Sequence, residues 1–109
     1  MEIIAYVRSV NGVEIEVAAE RWAHVVEAHD YMSGNLDMVL ETVAEPDFVA
    51  RGRRGELLAV RLFEKTNISR KHCVVVYREE EKRGFVITAF MTSRADKIRR
   101  RGIVWERKN

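Results

Sequence analysis

Four short apolar runs, separated by polar connections of five to eight residues, fill the second half of this chain. The runs are rich in Val, Leu, Ile and Phe, which favour strands. Parallel neighbours need a crossover of about a dozen residues or more, so connections this short predict antiparallel pairing. The sequence therefore predicts four strands of one antiparallel sheet, over residues 47–50, 56–63, 72–78 and 85–91.

Two further β-type runs, residues 2–8 and 13–17, open the chain. Between them lies Asn11-Gly12, a dipeptide typical of the type I′ turn that joins two antiparallel strands directly. The sequence therefore predicts an N-terminal β-hairpin over residues 1–17.

Two helices are predicted between the hairpin and the sheet, because the apolar period changes from two to about 3.6 residues. The first covers residues 18–29, and its apolar face consists of Ala18, Trp22, Val25, Val26 and His29. The second has apolar residues at helical spacing, namely Leu36, Val39, Leu40 and Val43, and ends before Pro46.

This order of elements predicts an α+β fold, with an N-terminal hairpin and two helices packed on one face of a four-stranded antiparallel sheet. A chain of 109 residues is expected to form one domain, with residues 1–17 as an extension of it. Residues 93–101 could add a helical turn rich in cations, which Gly102 would end before a short apolar segment at 103–105.

Charge is divided unevenly along the chain, although the net charge is only +2. Residues 1–50 carry two basic and ten acidic side chains, a net −8, whereas residues 51–109 carry 17 basic and seven acidic side chains, a net +10. A basic half on a small domain is typical of a site for a polyanion such as RNA. The alternative is a solvated surface whose charges complement each other within the molecule.

Kinases, NTPases, dehydrogenases and zinc proteases are excluded, because the sequence lacks their motifs. It has no glycine-rich phosphate loop, dinucleotide fingerprint, HExxH zinc motif or nucleophile elbow, so no metal or cofactor is expected. The one cysteine, Cys73, has no partner for an internal disulfide, which fits a reducing cytosol. Without a signal peptide or a stretch of about 20 apolar residues, a cytoplasmic protein with no membrane segment is expected.

Three candidates for acid–base or phosphate chemistry lie on the first predicted helix. His29 falls almost directly over Trp22 on the apolar face, where it is either a functional group or a core histidine satisfied by a backbone carbonyl or Asp30. His24 lies on the opposite flank, as a surface residue would. Arg21 flanks the apolar stripe, where it could present its guanidinium at a groove edge or pair with an acid. Among these groups only histidine titrates near neutral pH without special help.

Polar side chains within the predicted strands form a second candidate surface. Strand alternation determines which residues of one strand share a face, but not which faces of neighbouring strands coincide. If they coincide, a polar and aromatic strip would lie on the side of the sheet away from the helices, formed by Arg61, Tyr77, Thr88 and Thr92. The alternative is an ordinary exposed sheet face, because Thr and Tyr are common in strands.

Cations follow both ends of the predicted sheet. One group is Arg51, Arg53 and Arg54, and the other is Arg94, Lys97, Arg99, Arg100 and Arg101. Together they could form a rim that binds successive phosphates, or they could be a solvated surface. Tyr77, Phe90 or Trp105 could stack on a base, and the alternative for Trp105 is a place in the core.

Four short motifs point to a known family. They are R-W-x-H-V-x-x-x-H at residues 21–29, E-x-V-x-x-P-D at 41–47, V-V-V-Y at 74–77 and V-I-T-A-F-M-T at 86–92. These motifs resemble those of the phage-type barnase/EndoU/colicin/RelE (BECR) nucleases, over residues 18–105, and the hairpin lies outside the shared pattern. The resemblance implies a two-helix, four-stranded antiparallel fold that cleaves RNA without a metal, in toxins, phage proteins or stand-alone domains.

The resemblance further implies catalytic roles for His24 and His29 on the helix, and for Thr88, Thr92 and Arg94 at the end of the last long strand. The substrate-binding residues expected beside them are Arg21, Arg61, Tyr77, Lys97, Arg99 and Arg100. The chain lacks the cation-dense catalytic strand of the RelE toxins, since only Arg61 lies inside a predicted strand. This difference disfavours a ribosome-dependent mechanism.

RNA cleavage without a metal needs a base for the 2′-OH proton, a cation for the charge developing on the phosphate, and an acid for the leaving 5′-oxygen. The hypothesis is that His24 or His29 meets Thr88, Thr92 and Arg94 at one end of the sheet, and that the product is a 2′,3′-cyclic phosphate. The rival is an RNA-binding or partner-binding module without catalysis. A third possibility is a toxin held by an antitoxin or immunity protein, and the oligomeric state stays open.

Overall fold

Seven strands and three helices form the fold in the computed structural model, which describes residues 2–108. The strands are β1 (Ile3–Arg8), β2 (Glu14–Ala18), β3 (Phe48–Arg51), β4 (Leu57–Phe63), β5 (Lys71–Glu79), β6 (Arg83–Thr92) and β7 (Ile103–Glu106). The helices are α1 (Ala19–Ala28), α2 (Leu36–Ala44) and α3 (Ala95–Arg99), and a 3₁₀ turn covers Asp30–Met32. Across residues 2–108, no helix has both the length and the apolar character needed to cross a membrane.

The predicted four-stranded antiparallel sheet is wrong, because the sheet is larger and mixed. Its strand order is β1-β2-β6-β5-β4-β3-β7. The central strands β3 to β6 pair antiparallel, as their short connections predict. The hairpin strand β2, however, pairs in parallel with β6, and β7 pairs with β3 at the other side. Alternation at Ile15 and Val17 identifies β2 as a half-buried strand, but alternation does not identify the strand it pairs with.

The hairpin turn also differs from the predicted type I′ form, which needs a positive φ at both central residues. Of Asn11 and Gly12, only Gly12 has one (φ +79°), and five residues separate β1 from β2. Ser9 organises this loop, because its carbonyl accepts the Gly12 N–H (2.9 Å) and its hydroxyl donates to the Glu79 carboxylate. Asn11 Nδ2 donates to the same carboxylate at 2.9 Å. The loop is therefore shaped by β5, which the local sequence does not reveal.

Both faces of the central strands are apolar, and helices cover both. On one face, α1 and α2 pack over a cluster that includes Ile15, Val17, Val25, Val39, Val43, Val75 and Tyr77. On the other, Ala95 and Ile98 of α3 pack over Phe48, Ala50, Leu58, Val60 and Val74. The predicted helical turn and its end at Gly102 (φ +112°) are confirmed. The two predicted helices share one face, but the prediction that the fold has only these two is wrong, because continuous apolar runs in β4 and β5 leave a second face, which α3 covers.

The edge of β6 determines where α1 lies. β2 leaves β6 after three residue pairs, and α1 then runs beside the rest of β6. The Tyr31 hydroxyl accepts the Met91 N–H at 3.3 Å, in the place where a further strand would offer a carbonyl. As a result α1 straddles the edge: Val25 is buried in the core under the helices, whereas the His29 ring reaches Phe90 of the opposite face (ring centroids 6.0 Å apart).

Candidate functional site

An open cleft of about 390 Å³ lies between α1 and β6. It is lined by Arg21, His24, Val25, Glu27 and Ala28 of α1 and by Ile87 and Thr88 of β6. Arg21, His24 and Glu27 follow one another at intervals of three residues, so one flank of the helix presents them together. The cleft therefore brings together three of the residues predicted from the sequence, namely Arg21, His24 and Thr88.

The cleft combines an imidazole, a carboxylate, a guanidinium and a hydroxyl. Arg21, His24 and Glu27 are exposed, and Thr88 is half-buried. Among residues 2–108, none of these four side chains takes part in a hydrogen bond or an ion pair. Their polar atoms are thus available to a ligand, and together they can exchange protons with a phosphate ester and bind its charge.

Glu27 is the polar residue of the cleft that the sequence predictions omitted. The signal that could have found it is the spacing itself, because Arg21, His24 and Glu27 recur at i, i+3 and i+6 on one helix. A carboxylate beside an imidazole supplies a second group for acid–base chemistry.

His29 occupies a different place from the one predicted. It follows the last residue of α1 and is half-buried, so it does not lie in the middle of a buried stripe. Its Nδ1 lies 3.3 Å from the Tyr31 hydroxyl, and neither Asp30 nor a backbone carbonyl takes that position. Because the hydroxyl oxygen accepts the Met91 N–H, its own proton can be donated to Nδ1. Tyr31 therefore orients the His29 ring against Phe90.

Thr92 and Arg94 lie away from the cleft, at the end of β6. Thr92 follows Thr88 by four strand residues on the same face, a separation of about 13 Å. Its hydroxyl accepts the Arg94 N–H (3.0 Å), and the Arg94 side chain pairs with Asp96 (3.2 Å). The cleft therefore brings His24 together with Thr88 but not with Thr92 and Arg94, which form a separate group. His29 lies against Phe90, between Thr88 and Thr92 in β6, and for this histidine the hypothesis stays a prediction.

The sequence predicted that Arg61 belongs to a strip on the face away from α1 and α2. The structure places it on the other face. Pairing with Cys73 directs it to the face that α1 and α2 cover. There its Nε lies 3.1 Å from the Glu41 carboxylate, an ion pair without hydrogen-bond alignment, and its Nη1 donates to the Glu45 carbonyl (2.6 Å). Arg61 thus links β4 to α2 and is not placed beside the cleft.

Tyr77 also lies on the face that α1 and α2 cover, so the predicted strip of four side chains is reduced to Thr88 and Thr92. Its side chain is fully buried, which raises the pKa of the phenol and prevents contact with a substrate. Within residues 2–108 the hydroxyl has no hydrogen-bond partner. Strand alternation places Tyr77 on the same face as Cys73 and Val75, but which face those three residues share depends on strand pairing.

The predicted cations of α3 separate into two groups. Lys97 and Arg100 line a concavity of about 480 Å³ at the sheet edge, together with Arg51, Gly52, Arg53 and Arg101. Arg99 points elsewhere, because its guanidinium stacks 4.3 Å from the centre of the Phe48 ring and its Nη2 is 2.9 Å from Glu106. Of these three predicted cations, Lys97 and Arg100 therefore line the concavity, Arg100 with an exposed ion pair to Asp96 (3.4 Å), and Arg99 is engaged within the fold.

His72, which the sequence predictions did not single out, lines a small polar pocket of about 270 Å³ on β5. The other lining residues are Asp47, Leu62, Arg99, Glu106 and Arg107. Burial lowers the pKa of His72, the neighbouring Arg70 and Arg99 lower it further, and Asp47 opposes them. No pattern in the sequence marks this residue, because one histidine in an apolar strand has no periodic signal.

The lowered pKa of His72 predicts a loss of stability in acid. The folded protein holds this imidazole neutral, whereas the unfolded chain binds a proton at the usual pKa of 6.5. Its contribution is therefore present above pH 6.5 and disappears as the pH falls through the folded pKa. We expect the free energy of unfolding in urea to fall less for H72Q than for the unmodified protein between about pH 7.5 and about pH 5. Equal losses in the two proteins would contradict this assignment.

Comparisons of the chain with protein-family models, with curated proteins and with solved structures find no match. Across residues 2–108, no three His, Cys, Asp or Glu side chains are grouped as a metal site would need. Cys73 is buried, and burial raises the pKa of its thiol to about 11. The candidate site is accordingly defined by its geometry, as the cleft between α1 and β6.

Proposed function

We propose that this chain is a metal-independent endoribonuclease, and that the cleft between α1 and β6 holds the scissile phosphate. The observation that carries the proposal is the presence of Arg21, His24, Glu27 and Thr88 in one open cleft. The half-buried Phe90, further along β6 beside His29, offers an aromatic surface on which a neighbouring base can stack. The residues that form these features belong mainly to two of the segments on which the resemblance to BECR nucleases rests, residues 21–29 and 86–92.

In this mechanism the 2′-oxygen of the substrate attacks the adjacent phosphorus, and the bond from phosphorus to the 5′-oxygen breaks. Glu27 accepts the 2′-OH proton and His24 donates a proton to the leaving oxygen, since an imidazole can do so near neutral pH. Arg21 balances the charge that develops on the phosphate oxygens, and the Thr88 hydroxyl donates a hydrogen bond to one of them. The products are a 2′,3′-cyclic phosphate and a 5′-hydroxyl, and no co-reactant is consumed.

The second candidate function is RNA binding without cleavage. It is favoured by the concavity around Lys97 and Arg100, whose lining holds five cations and no acid. This surface could bind phosphates whether or not the cleft is catalytic. The two candidates differ in the fate of the RNA, which can be measured directly.

The test uses single-stranded RNA incubated with the protein in excess EDTA, followed by analysis of the ends of any fragments. We expect 2′,3′-cyclic phosphates and 5′-hydroxyls. The matched control substrate has the same sequence with every 2′-hydroxyl methylated, and it should stay intact because the attacking oxygen is blocked. Fragments with 5′-phosphates, cleavage of the methylated strand, or RNA that stays intact while bound would each contradict the proposed mechanism, and the last would favour the binding module.

A further inference from the structure

A basic patch, formed by Arg51, Arg53, Lys97, Arg100 and Arg101, lines the concavity beside the β3–β4 turn and the end of α3. No carboxylate lines it. Within residues 2–108, Arg100 is the member that forms an ion pair, with Asp96 at 3.4 Å. The five cations outnumber the two carboxylates beside them, Asp96 and Glu56, so the patch presents a net positive field to solvent.

The fold assembles this patch from two segments that are distant in sequence. The Arg51 N–H donates to the Gly102 carbonyl (3.0 Å), which joins the end of β3 to the turn that follows α3. A Cβ at Gly102 would lie only 3.2 Å from the Arg51 Nε, so a glycine at this position lets the arginine lie across the turn. In the β3–β4 turn, the Glu56 carboxylate accepts the Arg54 N–H at 2.6 Å, and this hydrogen bond lowers the pKa of Glu56.

The patch and the cleft are connected by one row of the sheet. Thr88 pairs with Val76, Val76 with Leu58, and Leu58 with Ala50, the residue before Arg51. Three strand spacings of about 4.8 Å separate the two ends of this row, a distance of about 14 Å. A single RNA strand whose phosphate lies in the cleft can therefore bring phosphates a few nucleotides away to the patch.

We propose that the basic patch is a second RNA-binding site, which holds backbone phosphates of the same strand whose scissile bond lies in the cleft. The proposal rests on the proposed function for the identity of the ligand. RNA is favoured over an acidic protein or an anionic membrane because the patch lies only about 14 Å from the cleft, within the reach of a single nucleic-acid strand. The patch then favours long substrates without taking part in the chemical step.

The test compares two variants that each lose two positive charges. R53A/R101A removes two exposed members of the patch, and the matched control K65A/R70A removes two exposed cations from the β4–β5 connection, at the opposite end of β4. The first measurement is the affinity for a fully 2′-O-methylated RNA of about ten nucleotides, at several salt concentrations. The second is kcat/KM for a dinucleotide and for a long RNA.

For R53A/R101A we expect about tenfold weaker binding of the methylated strand, and a salt slope smaller by about 0.7 for each phosphate that the variant no longer binds. Its kcat/KM should fall for the long RNA and stay unchanged for the dinucleotide, whereas K65A/R70A should match the unmodified protein throughout. Equal losses in both variants would overturn the proposal, as would unchanged RNA binding with weaker binding of phosphatidylserine vesicles or of polyglutamate. If no RNA is cleaved but binding responds as expected, the patch stands and the proposed catalysis falls.

Discussion

Replacement of His24 by alanine is expected to lower kcat/KM for RNA cleavage roughly 10²- to 10⁴-fold, the usual contribution of a positioned acid or base. His24 is the imidazole that shares a cleft with Arg21, Glu27 and Thr88. Because it is exposed and makes no contact that the fold needs, H24A should retain the native structure. The measurement is the initial rate of fragment formation in EDTA, with circular dichroism to verify folding.

The informative comparison with H24A is H29A, because the His29 ring lies against Phe90 and Tyr31 and does not line the cleft. We expect a smaller loss for H29A than for H24A, and unchanged binding of methylated RNA by H24A. If H29A were the inactive protein and H24A cleaved at the normal rate, the reacting phosphate would lie at the Phe90 end of β6 and the roles assigned in the cleft would be wrong.

Replacement of Gly84 by alanine is expected to lower the free energy of unfolding by about 3 kcal/mol, because the added carbon has no room. A Cβ at Gly84 would lie 2.2 Å from the Arg78 carbonyl oxygen and 2.7 Å from Ile15 Cδ1. The first of these is a backbone atom, which cannot move aside without disturbing the pairing of β5 with β6. The measurement is urea unfolding, compared at equal pH and salt.

The control for this substitution is G34A. Gly34 has a positive φ of +80°, but no atom lies within 4 Å of its hypothetical Cβ. Its replacement should therefore cost only the strain of a left-handed alanine, about 1 kcal/mol. Equal losses for the two variants would show that the close approach of Gly84 to β5 and to Ile15 does not limit stability.

Local pattern predicted most elements of this fold but not how they meet. The apolar runs of β3 to β6 and the helical spacing of α1 and α2 are properties of short segments, and the structure contains all of them. The parallel pairing of β2 with β6 joins residues almost 70 positions apart, such as Ile15 and Gly84. Nothing in either segment identifies the other as its partner, because a half-buried strand fits any neighbour with the same alternation.

For the candidate site too, sequence patterns predicted which residues of one element lie together, but not how the elements combine. Helix geometry places Arg21 and His24 on one flank, and strand alternation groups Thr88 with Thr92. Their combination in the structure follows from the early end of β2, which leaves room for α1 beside β6. Arg61 and Tyr77 were misplaced for a related reason, because the face to which an alternating pattern points is decided by tertiary contacts.

The bond from the Met91 amide to the Tyr31 phenol has a consequence for motion in the molecule. Along most of β6 a peptide N–H is held by another strand, and its exchange with solvent requires strands to separate. At Met91 the acceptor belongs to the segment that follows α1, so the amide is released when that segment moves away. Deuterium uptake at this one amide therefore reports movement of the 3₁₀ turn that carries Tyr31.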